Sequence, residues 1–349
     1  MYPLIILNLV CTGLSFYGKK GLKIAIWLLF IFLALRYNFG NDYKSYSEGF
    51  DFSFYELIAA EVEVGYAFLV SVFQFLNFKW LVAFLSGLFC WSLYRTIVRY
   101  VTPKWYWIVV FAIISNGDLI FTGASAIRQT TAMSIIFLSL PYLENKKLLV
   151  YLIMVALASS FHMSAMFFVI LYPLLYVDMG KKLSVVIIAI FALLLATVLK
   201  DVLYVYIGDF TENSFEKYAG RYGRGASDAI VGGFFGIVIR VYFAALMLFS
   251  MYKNSNRMIN IFILLSILSF VIFSMREQVM LQRYNMYFGY FICLVMPYIL
   301  NRIKKEKVLC GIGFNSLLFV YLIWNISMAI NFFLTANSSF EYHTIFSAI

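Results

Sequence analysis

The sequence predicts an all-α, polytopic integral membrane protein, and three observations carry that prediction. Hydrophobic residues make up 63% of the 349 residues, only 13% are charged, and the mean hydropathy is +0.88. A soluble domain carries about 25% charged residues, so this chain has too few to cover a water-facing surface. Apolar segments of membrane-helix length also recur along the chain, with basic residues clustered between them.

The net charge of +10 does not predict a nucleic-acid partner, because the basic residues lie in short clusters between apolar segments, where they set topology. The four cysteines lie in or beside apolar segments without Cys-x-x-Cys spacing, so neither a disulfide framework nor a zinc site is predicted. The sequence lacks DxD, HExxH and Cys/His-cluster motifs as well. We therefore expect no metal and no other cofactor.

The first two spans are assigned from the basic residues between them. Tyr2 to Tyr17 leads into a lysine cluster, which places that loop in the cytoplasm and the amino terminus outside. Leu22 to Arg36 then returns to the outer face and opens into a polar loop over residues 37–63. This loop is mildly acidic and rich in Tyr, Asn and Gly.

The next apolar segment, Val64 to Phe78, breaks the pattern. If it spanned the membrane, Arg95, Arg99 and Lys104 would lie outside and every later loop would be inverted. We therefore interpret Val64 to Phe78 as a re-entrant or interfacial segment that ends near the outer surface. With that choice the basic residues near 95–104, 146–147, 181–182, 253–257 and 302–307 fall inside. About twelve crossings result in a single transmembrane domain over residues 1–349, with both termini outside.

Two lysine pairs that both lie inside, at 146–147 and 181–182, are separated by only about 33 residues. Two helices of roughly 13 and 17 residues reach about 20 and 25 Å, less than the roughly 30 Å hydrocarbon core. The turn between them, ALASSFHMSA, should therefore be recessed in the membrane, where a wet or protein-lined cavity satisfies its backbone. It contains His162.

Arginines concentrate toward the outer half of this topology. Arg128 lies at the start of an apolar helix beside Gln129, where an unpaired cation is costly. The further arginines lie in later helices and in a second outer loop over residues 205–228: Arg240, Arg276, Arg283, Arg221 and Arg224. Because arginine binds phosphate oxygens in a bidentate manner, we expect these side chains to bind a lipid-linked pyrophosphate in an outer-facing cavity.

Each residue also has a structural interpretation. Arg128 and Arg240 could pair with Asp118, Glu277 or backbone carbonyls, although for Arg128 we expect a pyrophosphate rather than a buried carboxylate. Arg276 and Arg283 lie near an interface where long side chains reach water at little cost. His162 could be a satisfied polar residue, and Asp42 a turn residue. His343, on the terminal tail, is expected to be exposed.

Three segments carry a resemblance to a known family: RYNFGNDYKSY (residues 36–46), IRQTTAMSIIFLSLPYLENKK (127–147) and LASSFHMSAMFF (157–168). In this order and spacing they resemble the EpsG family of exopolysaccharide polymerases, which is grouped with the Wzy-type O-antigen polymerases. RYNMYF (283–288) and EYHTIF (341–346) are similar to its last segments. The resemblance implies a fold like the membrane domains of GT-C-type glycosyltransferases.

The resemblance implies a metal-independent glycosyltransferase that polymerises undecaprenyl-pyrophosphate-linked repeat units at the outer face of the bacterial plasma membrane. We expect His162, with Asp42 as the alternative, to be the base, and Arg128, Arg276, Arg283 and Arg240 to bind pyrophosphate. The expected substrate contacts are Gln129, Arg221, Arg224, Tyr43 and Tyr284. The expected partners are the lipid-linked donor and acceptor, membrane lipid and a chain-length regulator protein.

Three other functions are considered. A flippase or transporter for the same lipid-linked unit should show internal repeats and polar residues in both halves of the membrane, and the sequence shows neither. A membrane acyltransferase also uses an intramembrane histidine, but His162 has no second polar signature beside it. An O-antigen ligase uses the same donor and similar arginines, and the modest second outer loop slightly favours a polymerase over it.

Overall fold

A computed structural model of the protein describes residues 2–117, 119–120, 123–197, 233–273, 279–306, 313–335, 342–344 and 346. The described chain is almost entirely helical, as the sequence predicts. It divides into two compact units, the first formed by Met1–Leu174 with Phe319–Ile349 and the second by Leu175–Leu318. The prediction of a single transmembrane domain stays a prediction.

The first unit contains most of the predicted spans and several short helices that the sequence analysis did not predict. Its helices are α1 (Tyr2–Ser15), α2 (Gly18–Ala34), α3 (Tyr43–Glu48), α4 (Phe54–Ala59), α5 (Val64–Phe73), α6 (Phe78–Tyr100), α7 (Tyr106–Ser115), α8 (Gly123–Ser125), α9 (Ile127–Glu144), α10 (Leu148–Ser159) and α11 (Leu171–Leu174). Three 3-10 helices, Gly49–Asp51, Pro103–Trp105 and Met163–Ile170, lie between them.

Packing in the first unit runs from helix to helix along the chain. Helix α1 packs against α2 and α7, α2 against α6, α6 against α9, and α9 against α10. The predicted outer loop over residues 37–63 folds into α3, α4 and a 3-10 turn rather than staying extended. Its apolar side chains form a buried cluster with α5, α6 and the start of α9: Tyr43, Phe50, Leu57, Tyr66, Ala67, Val70, Phe78, Leu81, Val82, Leu85 and Ile127.

A two-residue strand pair joins this loop to the end of the chain. Strand β1 (Arg36–Tyr37) pairs antiparallel with β2 (His343–Thr344). Beside the pair, Tyr342 stacks on Phe32 with ring centroids 4.0 Å apart and donates a hydrogen bond to the Phe32 carbonyl at 2.7 Å. The all-α prediction therefore misses one small strand pair, while the expected exposure of His343 is confirmed.

The second unit contains α12 (Lys182–Thr197), α13 (Gly233–Met251), α14 (Arg257–Phe273) and α15 (Val279–Glu306). Helix α14 packs against each of the other three. The guanidinium of Arg302 donates to the carbonyl oxygens of Ser250 at 2.5 Å and Tyr252 at 3.0 Å, at the carboxyl end of α13. A last helix, α16 (Phe314–Thr335), belongs to the first unit from Phe319 onward.

Within the described residues, three helical segments are long and apolar enough to cross a membrane: Phe78–Tyr100, Arg283–Lys304 and Phe314–Phe332. Eight further helices are apolar but shorter, between 10 and 17 residues. These findings support a membrane-embedded helical protein, whereas the twelve crossings and the likeness to GT-C membrane domains stay predictions. Helix α5 has 10 residues and rises about 15 Å. That length is about half of a hydrocarbon core, so it supports the re-entrant or interfacial interpretation.

The predicted helix break at residues 156–165 is confirmed. Helix α10 ends at Ser159 after 12 residues, and a 3-10 helix begins at Met163. His162 lies between them with an extended backbone, φ −160° and ψ 116°. Its N–H donates to the Ala158 carbonyl at 3.1 Å, and its own carbonyl accepts from Ala165 at 3.0 Å. The break therefore holds His162 at a fixed place between two short helices.

Candidate functional site

Two side chains far apart in the sequence, His162 and Arg128, meet at the carboxylate of Glu63 in the first unit. Glu63 accepts a hydrogen bond from His162, with Oε1 and Nδ1 2.9 Å apart, and its Oε2 forms an ion pair with the Nη1 of Arg128. The Nε of Arg128 donates to the Tyr46 hydroxyl at 3.2 Å, and its guanidinium lies 5.6 Å from the centre of that ring. These four residues are called the Glu63 cluster below.

Helix α5 positions the carboxylate of the Glu63 cluster. Glu63 is the residue before α5, and its carbonyl accepts from the N–H groups of Tyr66 and Ala67, each at 3.0 Å. Its side chain does not cap the helix and instead reaches Arg128 and His162. The partial positive charge at the start of a helix stabilises a carboxylate there.

A close backbone contact ties the start of α5 to the turn that carries His162. The N–H of Gly65 donates to the carbonyl of Ser160 at 2.8 Å. A Cβ added to Gly65 would lie 2.4 Å from the Ser160 hydroxyl and 2.8 Å from its carbonyl oxygen, so a larger residue does not fit. The glycine therefore lets two segments about 100 residues apart in sequence approach closely enough for Glu63 to reach His162.

Arg128 lies in the first turn of α9, a helix in which most residues are buried. About a fifth of its side chain is exposed, as is about a fifth of the Glu63 side chain. We expected a pyrophosphate rather than a protein carboxylate beside Arg128. The expectation that Arg128 has no carboxylate partner is wrong. The fold brings Glu63, which is 65 residues away in sequence, next to the Arg128 guanidinium. Pyrophosphate binding stays a prediction.

The neighbours of Glu63 in the cluster stabilise its charged form. Burial by itself raises the pKa of Glu63, but the hydrogen bond with His162 and the positive charge of Arg128 outweigh that effect, so the pKa is lowered from its ordinary value. Burial raises the pKa of Tyr46, while the charge of Arg128 opposes the rise. Glu63 is therefore an anion and Tyr46 a neutral phenol at neutral pH.

Two of the predicted residues in the first unit lie beside the Glu63 cluster. Asp42 precedes α3, the helix that carries Tyr46, and its N–H donates to the Ser125 hydroxyl at 3.1 Å. Gln129 is buried next to Arg128 in α9. Their predicted catalytic and substrate-binding roles stay predictions.

Tyr43, predicted to contact substrate, is buried in the apolar cluster. Its ring packs edge-on against Phe78, with centroids 5.2 Å apart, and against Tyr37 at 6.2 Å. These contacts explain why an aromatic residue is needed there. Its role in substrate binding stays a prediction.

The predicted residues of the second unit have local partners. Arg240 is buried in α13, donates from Nη1 to the Gly236 carbonyl at 2.9 Å, and lies 3.3 Å from the centre of the Phe273 ring. Arg283 is half-buried in α15, and Tyr284 stacks on Phe288 with centroids 6.4 Å apart. Their predicted roles remain predictions. Five further predicted or alternative residues lie outside the described residues, as does the whole loop over residues 205–228: Asp118, Arg221, Arg224, Arg276 and Glu277.

The sequence analysis missed Glu63 as a functional residue and treated it only as the end of the outer loop. A usable signal was present, since a carboxylate directly before an apolar helix marks a helix start and can face a buried cation. Among the described residues, no group of three or more His, Cys, Asp or Glu is placed to hold a metal ion. Metal independence stays a prediction.

A second buried arginine lies near the start of α9. Arg36 is 3% exposed and donates to the Leu33 carbonyl at 2.5 Å, the Ser86 hydroxyl at 2.8 Å and the Ala124 carbonyl at 3.2 Å. It lines a cavity of about 20 Å³ together with Ser86 and Thr130. That volume has room for about one water molecule.

Comparison with known protein families gives a match over most of the chain. The model of the EpsG family matches residues 22–343, which is nearly the whole chain and includes every member of the Glu63 cluster. No curated protein and no solved structure matches the chain.

Proposed function

The chain belongs to the EpsG family, and from that premise we propose that it polymerises undecaprenyl-pyrophosphate-linked oligosaccharide repeat units into a surface polysaccharide. Membership supports a polysaccharide-polymerase role in general and lipid-linked saccharides as substrates. The Glu63 cluster is the observation that supports this specific reaction. Arg128, a cation suited to binding phosphate, and His162, a base suited to a sugar hydroxyl, both contact the Glu63 carboxylate.

The proposed reaction joins the reducing-end sugar of a growing chain to a hydroxyl of the next lipid-linked unit. The bond between the anomeric carbon and the pyrophosphate oxygen breaks, and its electron pair leaves with the pyrophosphate. A bond from the acceptor oxygen to that carbon forms, while the acceptor proton passes to His162. Arg128 stabilises the charge that develops on the leaving pyrophosphate, which is where a preorganised cation has the largest effect on rate.

Access to the Glu63 cluster fits this role. The side chain of Arg128 is about one-fifth exposed and that of His162 about one-tenth. A substrate therefore meets groups that are largely removed from water, where charge interactions are stronger. We place this site at the outer face of the bacterial plasma membrane, and we propose a chain-length regulator protein as a further partner. The other predicted site residues remain candidates for binding the same substrates.

The test of function is deletion of the gene from its host, followed by complementation and a gel of the surface glycan. A polymerase is supported if deletion leaves carriers or lipid cores bearing a single repeat. An O-antigen ligase or a flippase predicts cores bearing none, and that result would overturn the proposal.

The test of the site uses matched variants in the same complementation. Arg128→Ala should reduce chain extension by about 100-fold or more, whereas Arg95→Ala, which removes an exposed arginine of α6, should not. His162→Ala should cost about 100-fold, and His343→Ala, at an exposed position, far less. The amount of each variant in the membrane is measured. If a site variant and its control extend chains equally at equal protein level, the proposed role of that site residue is excluded.

A further inference from the structure

We infer that Glu63 is a positioning residue: it holds His162 in the tautomer that carries its proton on Nδ1, so that Nε2 is the atom that accepts the acceptor hydroxyl's proton. This inference deepens the proposed function and rests on it for the catalytic consequence. The positioning itself is a property of the protein without substrate.

The tautomer follows from the chemistry of the hydrogen bond between Glu63 and His162. An ionised carboxylate has no proton to give and can only accept. With Oε1 of Glu63 2.9 Å from Nδ1 of His162, the hydrogen of that bond must belong to the imidazole. In a neutral imidazole the other ring nitrogen then carries the lone pair. Nε2 is therefore the basic atom.

Arg128 makes the arrangement stable. Its Nη1 pairs with the second oxygen of the same carboxylate, so Glu63 is held from both sides and keeps its negative charge although its side chain is only 21% exposed. The start of α5 adds a favourable dipole. The lowered pKa of Glu63 agrees with this geometry.

The carboxylate also compensates the charge that forms during the reaction. When the acceptor O–H bond breaks and Nε2 gains the proton, the imidazole becomes a cation 2.9 Å from the Glu63 oxygen. The acceptor oxygen bonds to the anomeric carbon, the pyrophosphate leaves with the electron pair, and the imidazolium later returns its proton to water. Besides His162, the charged and titratable groups of this cluster are Glu63, Arg128 and Tyr46, and among the described residues Asp42 and Tyr66 also interact electrostatically with Tyr46.

Glu63→Gln makes a sharp test because it keeps the shape of the side chain. Arg128 can only donate, and a charge-assisted bond is the stronger one, so the amide oxygen should turn to Arg128. The amide NH₂ then faces Nδ1 of His162, which must become an acceptor, and the proton moves to Nε2. Glu61→Gln is the matched control, because it replaces the same carboxylate with the same amide two residues away, at an exposed position.

The tautomer is measured by ¹⁵N nuclear magnetic resonance of the histidine rings in the full-length purified protein at about pH 8, where free imidazole is neutral. The chain has two histidines, so a ¹⁵N-histidine label gives two pairs of ring-nitrogen signals, Nδ1 and Nε2 of each ring, and His343→Gln assigns the pairs. We expect His162 protonated on Nδ1 in the unmodified protein and in Glu61→Gln, and on Nε2 in Glu63→Gln. An Nε2-protonated His162 in the unmodified protein overturns the inference, and this measurement needs no variant that might misfold.

Rates of chain extension supply the second measurement. With the wrong tautomer, Glu63→Gln should lower kcat by about 100-fold to 10,000-fold, and the KM for the lipid-linked unit should change little. Glu61→Gln should match the unmodified protein. If the tautomer shifts but extension does not, His162 is not the base and the proposed chemistry fails, while the hold of Glu63 on the ring stands. If neither changes, the inference is overturned.

Discussion

Two arginines show how this chain accommodates a buried cation in different ways. Arg128 is paired with the carboxylate of Glu63, whereas the contacts of Arg36 are two backbone carbonyls and the Ser86 hydroxyl. Neutral acceptors can hold a guanidinium where no ligand needs to reach it. A shared carboxylate on a partly exposed arginine instead suits a site that works on a substrate.

The first prediction concerns Arg36. Arg36→Met should destabilise the protein because it leaves the carbonyls of Leu33 and Ala124 without their donors in the interior. Hydrogen bonds to a charged group contribute about 1.5–3 kcal/mol each, so the loss should be about 3 kcal/mol or more. The measurement is the apparent melting temperature in detergent, with Arg95→Met as control. A melting temperature equal to that of the control would contradict it.

The second prediction concerns acid. The pKa of Glu63 is lowered on folding from its ordinary value of 4.5, so its contribution to stability is complete above pH 4.5 and is lost as the pH falls through the lowered, folded-state pKa. The stability difference between the unmodified protein and Glu63→Gln should thus shrink as the pH falls below about 4.5, where Glu63 becomes protonated. Thermal melts below pH 4.5 test it, with Glu61→Gln as control. A gap that widens below about pH 4.5 would refute the assignment.

At the scale of elements, the Glu63 cluster depends on how α5 meets the turn between α10 and the following 3-10 helix. Both are short segments of the helical first unit. Their contact is a hydrogen bond from Gly65 to Ser160, with no space for a side chain. A backbone carbonyl freed by the helix break thus helps to place the side chains of the Glu63 cluster.

The third prediction tests that contact. Gly65→Ala should push α5 away from the turn, because its Cβ would lie 2.4 Å from the Ser160 hydroxyl and 2.8 Å from the carbonyl oxygen. A displacement of about 1 Å can cost about 100-fold in rate, so chain extension should fall by that order. Gly49→Ala is the control, since a Cβ there meets nothing within 4 Å. Equal extension by both variants at equal protein level would show that the contact is dispensable.

At the scale of the whole molecule, the length of each helix limits how it can cross a membrane. Three described helices are long enough alone, and the shorter ones need extension, local thinning of the bilayer or a recessed position. Helix α5 decides the orientation of everything after it, because counting it as a span inverts every later loop.

The fourth prediction therefore concerns α5. A cysteine at Phe75, an exposed position between α5 and α6, should react with a membrane-impermeant thiol reagent added to intact cells. The background lacks the four native cysteines, of which the three described ones are buried. A cysteine at Lys19, an exposed position in the lysine cluster before α5, serves as the inside reference, because its side does not depend on α5. Labelling at Phe75 only after permeabilisation would show that α5 spans the membrane.

How much could be predicted follows from the range of each signal. Hydropathy and charge patterns are read within a segment of about 20 residues. The helical membrane class, the short apolar segment at residues 64–78 and the helix break at His162 could therefore be predicted from the sequence. The helices inside the outer loop were not, because their stability comes from packing Tyr43, Phe50 and Leu57 onto α5 and α6. The strand pair between Tyr37 and His343 was missed for the same reason.

By itself the sequence determined the class of the protein, its family and two members of the Glu63 cluster. These are a cation at the start of α9 and a histidine in a broken helix. Only the tertiary structure decided that Glu63 joins them, at separations of 65 residues from Arg128 and 99 from His162. No local pattern encodes that meeting. It requires α5, α9 and the α10 turn to pack together, and the pairing of the charged groups then holds each one in place.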